Sequence, residues 1–126
     1  MAAITENGES PFFDFFSKLT EMYNTEELAT NSKELQNFQK LDYYFRRLVE
    51  TGPWYNETQI KPLEDDFFEL KIKSTGLRVP FYYDEKNRSV VICTHHFEKK
   101  QKKTPKEEIA RMKDIKRSFE KRRQRK

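Results

Sequence analysis

From Phe67 apolar and polar residues begin to alternate, and this period of two restricts the fold more than any other feature. Phe68, Leu70 and Ile72 point one way, and Glu69, Lys71 and Lys73 point the other. Arg78, Pro80 and Tyr82 then alternate with Val79, Phe81 and Tyr83. Ser74-Thr75-Gly76 and the polar run from Asp84 to Arg88 read as turns. Ser89 to Thr94 is β-branched and apolar, which suits a strand buried in the middle of the domain. Connections this short predict an antiparallel meander of three strands. Ile60 and Leu63 lead into it, and Glu64-Asp65-Asp66 is a further turn.

The period changes on either side. Ser10-Pro11 opens a helix, with serine suited to the cap and proline to the first turn. Phe12, Phe15, Phe16, Leu19, Met22 and Tyr23 make its apolar face, and core packing is the ordinary use of such a stripe. A second helix starts between Glu26 and Ser32 and runs to about Glu50, with Leu35, Phe38, Leu41, Phe45 and Leu48 on one face. Thr51-Gly52-Pro53 ends it, and Trp54 to Thr58 is a loop. Thr104, Pro105 and Glu107 read as cap, first turn and capping box of a third helix, whose stripe is Ile109, Met112, Ile115 and Phe119. Ala2 to Ile4 is a candidate edge strand. The whole is an α+β domain over residues 1–126, with two N-terminal helices on one face of an antiparallel sheet and a C-terminal helix. Its basic end is expected to fray from about residue 120, and the second face of the sheet to stay open and cationic.

Charge is divided unevenly along the chain. Residues 97–126 carry a net charge of +9 and residues 1–96 a net charge of −5. That asymmetry fits a polyanionic partner on the C-terminal side, or a solvated basic helix. The single cysteine, Cys93, sits in the apolar run VVIC and reads as a buried, inert thiol. The N-terminus lacks the basic and apolar regions of a signal peptide, and no run has the roughly 18 apolar residues of a membrane span. A cytoplasmic protein without membrane contact is expected.

The candidates for chemistry follow from strand parity. Lys71, Lys73, Arg78 and Tyr82 fall on the face opposite the helices. Two readings stand: a solvated polar face, which antiparallel sheets commonly have, and a phosphate-binding surface on adjacent strands. His95 and His96 are the only histidines, and histidine moves protons near neutral pH. Neighbours on a strand face opposite ways, so at most one of them joins the Lys71/Arg78 face. That geometry, with no HExxH and no second cysteine, argues against zinc. Lys99, Lys100, Lys102 and Lys103 cluster between the histidines and the third helix.

The block His95-x-Phe97-x-Lys99-Lys100-x-x-x-Thr104-Pro105-x-x-Glu108-Ile109 resembles the RelE/ParE superfamily of toxins, in its HigB-like, phage-derived host-inhibition branch. Glu69-Leu70-Lys71 is similar to that family's E-L-R strand, Leu77-Arg78-Val79-x-Phe81-Tyr82 to its second strand, and NGESPFFDFFSKL to its opening. The resemblance implies a RelE-like fold and a type II toxin, a metal-independent endoribonuclease without a cofactor that cleaves mRNA at the ribosome. It also implies a co-encoded antitoxin, often with a helix-turn-helix domain. By position, the resemblance makes Lys71, Arg78 and His95 the catalytic candidates. Lys71 and Arg78 would hold the scissile phosphate, and His95 would be the general acid or base. Lys99 and Lys100 would grip RNA backbone with Lys73, Lys102, Lys103 and His96 nearby, and Tyr82 would stack on a base. The alternatives are a ParE-like gyrase poison and a non-catalytic nucleic-acid-binding module. Pro80, which has no N–H, predicts an interruption along one edge of its strand.

Overall fold

A computed structural model of the chain describes residues 1–28, 32–51, 59–87, 90–99 and 103–124. These form α1 (Pro11–Asn24), α2 (Lys33–Thr51), β1 (Ile60–Pro62), β2 (Phe68–Ile72), β3 (Leu77–Tyr83), β4 (Val91–Cys93), β5 (Phe97–Glu98) and α3 (Lys106–Gln124). The fold is α+β, and every pairing between these strands is antiparallel. The expected meander is its centre, β2-β3-β4. Two strands were not foreseen: β1, which pairs with β2, and β5, which pairs with β3 beyond the end of β4. Ala2 bridges to Cys93 in parallel, so the leading segment does lie along the sheet edge, as a single bridge.

The apolar parity of β2 and β3 settles where the first core lies. Leu70, Ile72, Val79 and Phe81 pack with Phe12 and Leu19 of α1 and Leu41 and Leu48 of α2. The other face is not left open. Met112, Ile115 and Phe119 of α3 pack on Phe67, Tyr82 and Ile92, making a second core. The stripe on α3 has an apolar patch to cover because Tyr82 and Ile92 are paired across β3 and β4 and share a face. Only the half of the sheet around Lys71 and Arg78 lies outside this cover.

Local details depart from expectation in three places. Ser10 stands at the cap of α1, but its hydroxyl donates to the Ala3 carbonyl (2.9 Å) and makes no capping bond. Thr104 gives its hydroxyl to Glu69. The basic end remains helical through Gln124, because Arg123 pairs with Asp84 (3.1 Å) and Arg122 donates to the Thr5 carbonyl (3.2 Å). The turns hold: Asp65 and Asp66 take φ of 56° and 62°, and Gly76 takes +81°, a left-handed conformation that suits glycine. The Thr51-Gly52-Pro53 stop and the Trp54–Thr58 loop fall outside the described residues, apart from Thr51 as the last helical residue of α2.

Candidate nucleic-acid interface

Pro80 sets the geometry of the site. Its carbonyl accepts the N–H of Thr94 (3.1 Å), but it has no N–H to return, and the ladder along that edge of β3 breaks there. Cys93 stands opposite Phe81, and pairing resumes with Phe97 opposite Arg78. Three steps along β3 are thus matched by four along its partner. The extra residue is a β-bulge within Thr94–His96, and it inverts the facing of everything after it.

The bulge decides the two histidines. His95 turns to the α3 side, where its ring stacks near Phe97 (5.7 Å, 26°) and its Nε2 lies 3.5 Å from Glu108 Oε2. His96 turns to the α1 side and stacks on Phe15 at 3.7 Å. His95 therefore joins the face of Arg78, but it is fully buried. Burial, with Arg111 and His96 nearby, pushes its pKa from 6.5 to about 3. An imidazole held neutral without solvent access is poorly placed as a general acid. His96 is likewise held below its usual value, chiefly by burial.

The depressed His95 pKa has a consequence for stability. The unfolded chain takes up a proton near pH 6.5 that the folded chain refuses until about pH 3. The contribution is complete above pH 6.5 and is lost as the pH falls through that window, at up to about 1.4 kcal/mol per pH unit. Denaturant midpoints at pH 7 and pH 5 should show the decline, and His95→Gln should flatten it. An unchanged slope in the variant would place its source elsewhere.

Beside His95 is a buried ionic cluster. Glu69 has no exposed surface, although its place in the alternation made it a solvent-facing counter-charge. Its Oε1 lies 3.5 Å from Arg78 Nε and 3.6 Å from Lys99 Nζ, and its Oε2 accepts from Thr104 Oγ1 at 2.7 Å. Arg78 also donates through Nη1 to the Leu77 carbonyl (2.9 Å). The guanidinium is thereby fixed, with a side chain 12% exposed. Burial lowers the pKa of Arg78, opposed by Glu69. Lys71 is directly opposite Arg78 on β2. Burial lowers its pKa as well, helped by the positive charges of Lys73 and Arg78. Lys99 is lowered by burial and held up by Glu69.

The predicted site is thus partly assembled. Lys71, Arg78 and Lys99 come together, with Lys73 exposed at the end of β2. Tyr82 does not belong with them. It is 3% exposed beneath α3, donates its hydroxyl to Glu120 (2.9 Å), and has no free ring face for a base. Lys103 is exposed in a groove of about 560 Å³ with Lys61, Thr104, Lys106 and Lys113. Lys113 is held there by Glu64 and Asp65. Lys100 and Lys102 lie outside the described residues. Among the described residues, no three His, Cys, Asp or Glu side chains gather closely enough to hold a metal ion. No described helix is long and apolar enough to cross a membrane.

Two contributors were missed in the sequence. Lys61 pairs with Glu69 across β1 and β2, a strand whose brevity hid it. Phe97 lies opposite Arg78, where only the bulge could put it. A family model described as Phage derived protein Gp49-like (DUF891) matches residues 26–117, a span holding α2, the whole sheet and the first part of α3. No curated protein matches the chain.

Proposed function

Because the chain belongs to the family of Gp49-like phage-derived proteins, we propose that it is the toxin of a type II toxin–antitoxin pair, an endoribonuclease that cleaves mRNA at the ribosome. The observation that carries this reading is the pair Lys71 and Arg78, side by side on adjacent strands in the half of the sheet that α3 leaves uncovered. The resemblance to RelE and HigB toxins around Lys71, Arg78 and Lys99 supports it. So does the basic C-terminal segment, with a net charge of +9 over residues 97–126.

The chemistry asks for a base and for charge stabilisation. The 2′-hydroxyl of the RNA attacks the neighbouring phosphorus, a P–O bond forms, and the bond to the 5′-oxygen breaks. Lys71, beside Arg78, holds the scissile phosphate as a cation, and the 2′-hydroxyl proton passes to water. Arg78, held by Glu69, stabilises the negative charge that builds on the phosphoryl oxygens. The 5′-oxygen leaves with a proton from water. His95 supports the site from beneath. In the cell, a helix-turn-helix antitoxin would neutralise the protein in the cytoplasm.

The test is to induce the protein and map RNA ends, then to repeat the assay with purified ribosomes carrying mRNA. New mRNA ends are expected. DNA breakage with intact mRNA would point to gyrase poisoning instead. Binding of RNA without new ends would reduce the protein to a non-catalytic module.

A further inference from the structure

Resting on the RNA reading above, we infer that Phe97 is the platform on which an unpaired nucleobase of the substrate stacks, while the phosphates of the same strand lie on Lys71 and Arg78. The register carries this. Lys71 pairs with Arg78, and Arg78 with Phe97, so the three side chains form one row across β2, β3 and β5 on one face. An aromatic ring flanked by cations is what a single strand needs, because the ring takes any base while the cations follow the backbone.

Phe97 has no other evident task. It is partly exposed, and it belongs to neither of the two apolar cores. Among the described residues its one ring neighbour is His95, which is wholly buried behind it. The imidazole thus fixes the phenyl ring. Lys99, two residues on, is anchored to Glu69. Phe67 and Tyr82, aromatic side chains of the same sheet face, are occupied beneath α3.

Binding, measured apart from cleavage, tests the inference. The probe is a fluorescent eight-nucleotide 2′-O-methyl RNA, which cannot be cut, compared with a version carrying abasic sites. Wild type should bind the base-bearing strand roughly tenfold or more tightly than the abasic one. Phe97→Leu, which keeps the bulk and loses the ring, should abolish that preference, and Phe97→Trp should keep it. Lys71→Ala should weaken both probes alike and preserve the ratio. Thermal melting of each variant verifies folding. A preference that survives in Phe97→Leu would overturn the proposal, as would equal binding of both probes by wild type. These ratios do not depend on catalysis, so absence of mRNA cleavage would remove the endoribonuclease reading and leave the platform standing.

Discussion

Arg78→Ala is expected to lower mRNA cleavage by roughly 100- to 1000-fold and to relieve growth arrest, the usual loss when one preorganised donor to a developing oxyanion is removed. The size of the effect follows from how the guanidinium is held. It lies 3.5 Å from a fully buried carboxylate and donates to a backbone carbonyl of its own strand, so it meets the phosphate without reorganising. Arg78→Lys keeps the charge and loses the planar fork, and should recover only a small part of the rate. Single-turnover cleavage on programmed ribosomes separates this from weaker binding. If Arg78→Ala cleaved at the wild-type rate while remaining folded, Arg78 would have no part in the chemistry.

The largest loss of stability is expected at Glu69. Its carboxylate is the common partner of Arg78, Lys99 and Thr104, which come from β3, the segment after β5 and the approach to α3. Removing one side of a buried ion pair strands the other charges in a poor solvent, which costs about 3–5 kcal/mol. Glu69→Ala should therefore shift the denaturant midpoint sharply. Glu69→Gln keeps an acceptor for Thr104 and should be milder. A loss below about 1 kcal/mol in Glu69→Ala would mean that solvent or neighbouring groups satisfy the two cations, as at exposed pairs.

Much of this architecture was legible because the period of two in β2 and β3 is a local property of the chain. It put Leu70, Val79 and Phe81 against α1 and α2, and Lys71 beside Arg78 on the other side. What escaped was set by tertiary partners. The stripe on α3 was visible, but its destination on Tyr82 and Ile92 was not, and so a covered half-face read as open. The basic end read as frayed because its anchors, Asp84 and the Thr5 carbonyl, lie 39 and 117 residues away. Glu69 read as outward because a carboxylate normally is, and only the convergence of two cations and a hydroxyl makes its burial tolerable. Pro80 announced a break in pairing, but it carried no information on how many residues the partner strand would spend crossing it.

That extra residue makes the strand a phase-sensitive element. Substitutions within Thr94–His96 leave the frame of the following residues intact. A single-codon deletion there would remove the bulge and leave Phe97 opposite Arg78 on the same face, because two residues would then separate Cys93 from Phe97 as two separate Arg78 from Phe81. The stretch can therefore lose one residue without changing the face that Phe97 joins, whereas ironing out the bulge at full length would turn Phe97 toward α1.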